Sequence, residues 1–222
     1  MQSYADALGV APAELRNMRQ MVQDDTMALR LDVSRRVWLV DNLKQAWKEG
    51  GIRWPGRSLA TISKLKEDTA LANRYRALEQ CPAGSMGRLY YEHMREVGFP
   101  LPGEKGSQVE TVFIHDLTHL LSGYGVDPDG EVQAASFSAG NRKKDPFTYI
   151  FFVLCEFHLL MKFSPFAEAS RGRFDGAKAV AAVHRGMQVN RDLTTEWDFW
   201  ADMDKPLDRV RSELNVPPEG RG

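Results

Sequence analysis

An all-helical fold is predicted from three features of the chain. Apolar residues recur at spacings of three and four in one segment after another. Those segments are bracketed by capping residues and by Gly or Pro. No stretch sustains the apolar–polar alternation of a half-buried strand. With 222 residues, 43% of them hydrophobic, the expected architecture is a single helical domain over residues 1–222 with a histidine-bearing helix at its centre.

The elements follow in order. Pro12 opens a helix that ends before residues 29–33. Ser34 caps a second, with Val37, Trp38, Val40, Leu43 and Trp47 on one face and Gly50-Gly51 at its end. After the Trp54-Pro55-Gly56 loop, Ser58 opens a short helix bearing Leu59, Ile62 and Leu65. Leu71, Tyr75 and Leu78 mark the next, which stops before Pro82. Ser85 caps residues 86–97 and Gly98 closes them. The run Phe99-Pro100-Leu101-Pro102-Gly103 makes a rigid connection. Ser107-Gln108-Val109-Glu110 then has the form of a capping box, in which Ser107 caps and Glu110 reaches back. That box starts the helix carrying His115 and His119, and Gly123 suits its end. Residues 131–139, rich in Ala and Ser, read as a helix able to pack close to a neighbour. Asp145 caps, and Pro146 starts, a long apolar helix running to Phe163. Asp175 caps a helix with Ala179, Val180, Val183 and His184. Trp197, Phe199, Trp200 and Leu207 lead into a last short helix near Pro217-Pro218.

Composition narrows the function classes. Lys plus Arg number 29 against 30 Asp plus Glu, a formal charge of -1, so no global basic footprint favours nucleic acid. Cys81 and Cys155 form no spaced pair, as expected of ordinary thiols in a reducing compartment. The first ten residues lack a basic start and an apolar core, so no secretory signal is read there. The apolar stretch Phe147–Phe163 is broken by Glu156, His158 and Lys162 and falls short of the roughly 20 residues of a membrane span. It reads as a buried core helix; the alternative is a helix that lines a lipid groove or touches a membrane surface. The neighbouring Arg142-Lys143-Lys144 is expected to be a solvated face, the alternative being attraction to anionic lipid headgroups or a prenyl phosphate.

The chemistry concentrates in His115-Asp116-Leu117-Thr118-His119, followed by Glu131. Histidines four apart share one helix face, one turn above each other, and Asp116 flanks that face. The glycines and Asp127-Pro128-Asp129-Gly130 after the helix form a turn region that can fold Glu131 back against the rings. A lone His-x-x-x-His pair is as well explained by core histidines held by backbone or carboxylate partners. Two imidazoles and two carboxylates, however, neutralise a divalent cation and satisfy one another. Imidazole suits zinc or iron, and carboxylates also admit magnesium or manganese. With Asp116 as a ligand a four-coordinate zinc is closed; with Asp116 outside, a position opens for water or substrate. Two enzyme readings are weaker. A zincin helix would carry Glu where Asp116 stands. An HD-type phosphohydrolase would need an earlier His and a later Asp, and His93 and Asp175 are nominated by no spacing rule.

The local pattern resembles the Coq-four family of ubiquinone (coenzyme Q) biosynthesis proteins. The likeness is carried by His-Asp-x-x-His, eleven residues and Glu; by Met86-Gly87-Arg88-Leu89-Tyr90 and Gly98-Phe99-Pro100-Leu101-Pro102 upstream; by Leu121-Ser122-Gly123-Tyr124 and Gly130-Glu131; and by Trp197, Pro206-Leu207, Arg211, Leu214 and Pro217-Pro218 near the end. It covers roughly residues 80–218. One departure is the mostly apolar Thr111-Val112-Phe113-Ile114, where typical members carry polar residues with Arg and Glu. The resemblance implies a helical protein, peripheral to the inner membrane of a bacterium, that binds a divalent metal, zinc foremost, through His115, Asp116, His119 and Glu131. It further implies a prenylated quinone precursor or other prenyl lipid as ligand and other quinone-biosynthesis proteins as partners, which the family is linked to organising into a complex; a homodimer is one assembly open to the chain. The implied reaction removes the ring carboxylate of a prenylated hydroxybenzoate and hydroxylates that carbon, with Asp116 and Glu131 as catalytic groups. The alternative is a non-enzymatic prenyl-lipid-binding scaffold. No Gly-x-Gly-x-x-Gly nucleotide fingerprint accompanies the motif.

Overall fold

The structure, a computed structural model, describes residues 67–107, 113–144, 146–163 and 168–218, together with Pro12, Leu15, Arg16, Asn17, Gln20, Ala28 and Leu29, which are helical. Among these residues there is helix and no strand, only the isolated bridges Ser85–Pro206 and Leu159–Arg171. The all-helical expectation holds. The helices expected over residues 34–50 and 58–65 lie outside the described residues, as do Glu110 of the capping box and the cap Asp145.

Helix α1 spans Thr69–Arg76, capped by Asp68, whose carboxylate accepts from Leu71 N at 3.3 Å. It runs into a 3-10 turn at Ala77–Gln80. Helix α2, Met86–Glu96, starts at Ser85, whose hydroxyl accepts from Arg88 N at 3.3 Å. It ends as expected at Gly98, which takes φ +73° while Phe99 N donates to Met94 O and Gly98 N to Arg95 O. Helix α3, Phe113–Ser122, stops where Gly123 turns left-handed (φ +82°) and its N–H donates to His119 O at 2.8 Å. Helix α4 is Pro128–Asn141, α5 Pro146–Phe157, α6 Gly176–Gly186 and α7 Leu207–Glu213. A 3-10 turn at Phe199–Asp202 precedes α7.

Two boundaries differ from expectation. Helix α4 begins three residues before Glu131, because Asp127 caps it through Gly130 N at 2.8 Å and Pro128 supplies a first residue that needs no donor. The apolar stretch Phe147–Phe163 is not one helix. It breaks after Phe157, where Leu160 adopts φ +59° and the chain doubles back, Leu160 N donating to Ser170 O and Gly172 N to His158 O. The Glu156 carboxylate takes the Phe163 N–H at 2.7 Å, so the polar residue inside the stretch stabilises the turn-back. Among the described residues no helix is long and apolar enough to cross a membrane.

Two apolar clusters hold these helices. The first gathers α1, α2, α3 and the C-terminal segment around Phe113, whose ring centroid lies 4.5 Å from Tyr90, 4.9 Å from Tyr75 and 4.8 Å from Phe199. Burying one such ring contributes about 1.5–3 kcal/mol. The second joins Leu29, α5 and Ala179 of α6 to Val132 and Ala135 of α4. Helix α4 serves both, with Ala134 and Phe137 in the first cluster. The side chains Phe151, Phe152, Val153, Cys155 and Phe157 of α5 are therefore core. The basic run beside α5 is largely engaged: Arg142 is buried and donates to Tyr149 OH and Thr194 Oγ1, and Lys143 pairs with Glu196. His184, which the sequence groups with the apolar residues of this helix, is exposed on α6.

Small residues set how close α4 and α6 come, as the Ala/Ser composition suggested. A Cβ on Gly140 would lie 2.2 Å from Val183 O, and one on Gly186 would lie 2.0 Å from Phe137 O. Backbone meets backbone at this crossing, so no side chain can yield. Gly140→Ala is expected to destabilise the fold by about 1–3 kcal/mol in urea titration, the cost of overpacking. Gly176→Ala, where an added Cβ meets nothing within 4 Å, is expected to be neutral or slightly stabilising.

Glu104 ties the loop after α2 in place. Its carboxylate accepts from Arg95 Nη1 and Nη2 at 2.9 and 2.8 Å, Arg76 Nε at 2.9 Å and Leu101 N at 2.9 Å. Arg95 foremost, with Leu101 N and Arg76, overcomes the opposing effect of burial and holds its pKa down at about 2, against 4.5 ordinarily. A depressed carboxylate stabilises the folded state fully above its unfolded pKa and loses that contribution as pH falls toward the folded value. Glu104→Gln should therefore cost about 1–3 kcal/mol at pH 7, with the gap to wild type closing between pH 4.5 and 2 in denaturation curves.

Candidate metal centre

The rise of one helical turn puts His115 and His119 on the same face of α3, and their rings meet edge to face with centroids 4.7 Å apart. The rings face each other through Nε2, at 3.2 Å. His119 Nδ1 lies 3.1 Å from Tyr124 O. A carbonyl can only accept, so Nδ1 carries the proton and a neutral His119 presents a bare lone pair at Nε2. Gly123 makes this geometry: its left-handed turn brings the chain back so that the Tyr124 carbonyl reaches the ring one turn earlier.

Helix α4 delivers Glu131. The Asp127 cap and Pro128 start the helix, Glu131 N donates to Asp127 O at 2.8 Å, and the carboxylate projects from the first turn. Its Oε2 lies 2.9 Å from His115 Nε2 and its Oε1 lies 3.5 Å from His119 Nε2. Gly130 permits this approach, since a Cβ there would lie 2.1 Å from Gly125 O. The turn region thus folds Glu131 onto the histidines as the spacing suggested, partly as the first turn of a helix.

Ligand atoms of His115, His119 and Glu131 lie within 4.8 Å of one another. Bonds of about 2.0–2.2 Å to a common centre set donor atoms roughly 3–3.5 Å apart. The two rings stand 3.2 Å apart through Nε2, and each faces a different Glu131 oxygen, at 2.9 and 3.5 Å, distances near that spacing; two imidazoles with one carboxylate suit zinc or iron. Without a cation, one proton on His115 Nε2 faces both the carboxylate and His119 Nε2. His119 is buried, while about a quarter of the His115 side chain (27%) and 22% of Glu131 remain exposed, so the group opens toward solvent on one side.

Charge within the group is tightly balanced. Burial disfavours the charged form of His115, but Glu131 and then Asp116 outweigh it and raise its pKa. Burial likewise opposes the Glu131 carboxylate, and His115 and His119 outweigh it, holding its pKa well below the usual range. Asp116 is not one of the three convergent residues, although it senses all of them. Burial pushes its pKa up to about 6, His115 and His119 pull against that, and Glu131 adds to it.

The other sequence candidates separate from the site. Asp175 caps α6, accepting from Ala177 N and Lys178 N. His93 on α2 lies within electrostatic reach of His119, and burial first, then His119, lowers its pKa, but it does not join the three donors. What sequence reasoning missed is the far end of α3. Arg185 donates to Ser122 O at 2.7 Å, and Arg211 to Leu120 O and Leu121 O at 2.8 and 3.1 Å, so two arginines from distant segments satisfy the last carbonyls of this helix. Arg211 was visible as part of a motif, but nothing in the sequence reveals what either arginine touches.

Gly130→Ala tests the link between the α4 turn and the donor set without altering a donor. It should displace Glu131 from the rings and weaken zinc or cobalt binding by about 10–100-fold in competition titrations, while the protein stays helical by circular dichroism.

No protein-family model matches this chain, and no curated protein matches it. Among solved structures, it is similar to a protein from Nostoc punctiforme, provisionally described as a ubiquinone biosynthesis protein, at 14% identity and a TM-score of 0.45 over 92% of this chain and 95% of that one. A likeness at this level assigns the chain neither family nor function.

Proposed function

We propose that this chain is a metal-dependent protein of quinone biosynthesis whose substrate is a prenylated hydroxybenzoate and whose reaction releases the ring carboxylate as carbon dioxide and leaves a proton in its place. Hydroxylation of that carbon is a separate oxidation that takes its oxygen from dioxygen and its electrons from a reductant supplied by a partner. The convergence of His115, His119 and Glu131 at coordination spacing carries the metal part of this reading. The quinone part is supported by the residue pattern, in which His-Asp-x-x-His, the Gly turn and Gly-Glu stand at the spacing of the Coq-four family.

In this reading His115, His119 and Glu131 hold the cation, zinc foremost. When bound, a divalent cation there supplies a Lewis acid for a phenol or carboxylate oxygen of the substrate. The chain's residues do the rest. Tyr124 O fixes the His119 tautomer, and the partly exposed side formed by His115 and Glu131 admits the aromatic head. Asp116, with a pKa near 6, carries the proton that replaces the departing carboxylate on the ring. The prenyl tail follows apolar surface toward a membrane, to which the protein is peripheral. The second reading, a prenyl-lipid-binding scaffold with a structural metal, differs in one respect: Asp116 has no chemical task.

Elemental analysis of gently purified protein should find close to one equivalent of a divalent metal. His119→Ala and Glu131→Gln should each lose it by at least about 100-fold in affinity. Asp116→Asn should retain metal yet lose decarboxylation of a carboxylated prenyl-phenol by about 10²–10⁴-fold, the usual share of a positioned proton donor. Full activity in Asp116→Asn removes Asp116 from the reaction, whereas a metal-loaded wild type that binds the prenyl-phenol without decarboxylating it favours the scaffold. Metal-free protein that matches wild type in restoring quinone to a deletion strain sinks the metal-dependent reaction.

A further inference from the structure

We propose that Arg185 is the positioning residue of this centre: it holds the Ser122–Tyr124 turn so that the Tyr124 carbonyl locks His119 with its proton on Nδ1 and its Nε2 lone pair facing His115 and Glu131. The inference deepens the metal reading above and rests on it for its consequence, but its geometry stands apart from any bound ion.

Arg185 lies in the last turn of α6, far from the motif in sequence, and its side chain is buried with 7% of its surface exposed. No carboxylate pairs with it among the described residues. Its hydrogen bonds run to carbonyls, Nη2 to Ser122 O at 2.7 Å and to Pro217 O at 2.8 Å, and Nε to Pro217 O at 3.0 Å. Its guanidinium carbon stands 5.0 Å from the Tyr124 ring centroid and 5.6 Å from that of Phe137, and Nη1 is buried without a hydrogen-bond partner. A buried cation in this setting is compensated by the negative end of α3 and by two ring faces. Desolvating a guanidinium that forgoes one of its donor groups is costly. The return is geometric. Arg185 grips the turn at the Ser122 carbonyl and at the Tyr124 ring, on both sides of Gly123, whose left-handed conformation leaves it the freest residue of the segment.

The turn's own bonds complete the linkage. Ser122 Oγ donates to Thr118 O at 2.6 Å and accepts from Tyr124 N at 3.4 Å, and Tyr124 O then accepts from His119 Nδ1 at 3.1 Å. Displacement of Tyr124, with rotation of the Tyr124–Gly125 peptide, would turn that carbonyl away and free His119 to place its proton on Nε2, where it blocks a metal and faces His115. Arg211 offers an internal comparison. It also satisfies carbonyls at the end of α3, Leu120 and Leu121, but no hydrogen bond or ring contact joins it to the turn.

The test uses the full chain, metal-free and ¹⁵N-labelled. Long-range ¹H–¹⁵N correlations read the His119 tautomer, and zinc competition reads affinity. Wild type should show a single Nδ1–H tautomer. Arg185→Met should show a mixture and bind zinc about tenfold more weakly. Arg185→Lys should recover part of both, and Arg211→Met should keep the wild-type tautomer despite lower stability. A folded Arg185→Met protein with the wild-type tautomer overturns the proposal. So does an Arg211→Met protein that shifts the tautomer equally, since helix capping alone would then explain the effect. If Arg185→Met does not fold, Arg185→Lys and Tyr124→Leu decide: mixing of tautomers in either supports the proposal, and a single tautomer in both overturns it. Should wild type bind no zinc while Arg185→Met still mixes the tautomers, the metal reading fails and the positioning role stands.

Discussion

The last carbonyls of an α-helix have no donors within the helix, and a buried helix end must find them elsewhere. Helix α3 meets this requirement with side chains from two remote segments, Arg185 of α6 and Arg211 of α7. The solution binds the C-terminal third of the chain to the helix that carries the histidines. Arg185 also takes the Pro217 carbonyl, so the tail is fastened by the same guanidinium. Arginine suits this task because its donors are numerous, rigidly disposed and always charged.

From that anchor the rest of the arrangement follows. Arg185 can reach α3 only because α6 lies against α4 at backbone contact, which Gly140 and Gly186 allow. Helix α4 in turn carries Glu131 in its first turn. The same packing therefore positions the donor set from both ends: α4 brings the carboxylate, and α6 holds the turn that orients His119. Phe113, at the start of the described part of α3, fixes the helix against α1, α2 and the aromatic C-terminal segment. The outcome is a group of three convergent donors that is rigid behind and open in front.

The electrostatics of the group depend on this enclosure. Burial by itself would neutralise His115 and Glu131, and their proximity reverses the outcome for both. Asp116 differs because it gains no comparable partner, so burial prevails and its proton is retained to about pH 6. Neighbouring acids in one site thereby differ in proton affinity, Glu131 held ionised by the two rings and Asp116 raised by burial.

Much of this was legible in the sequence. The caps Ser85 and Asp175, the closing Gly98 and Gly123, and the i, i+4 histidines follow from local rules of backbone and side-chain geometry, and local rules are readable from a few adjacent residues. The long apolar stretch was misread as one helix because hydrophobicity does not reveal a reversal. Leu160 enters the left-handed region only because Glu156 and Ser170 accept backbone N–H groups as the chain doubles back. His184 lies outside the core for a related reason, since which face of α6 turns inward is decided by its crossing with α4. Only the tertiary structure could set Asp116 apart from the three convergent donors, engage most of the basic run in pairing, and bring Arg185 across 63 residues to the end of α3. These outcomes depend on contacts between segments distant in the chain, where no periodicity or spacing carries the information.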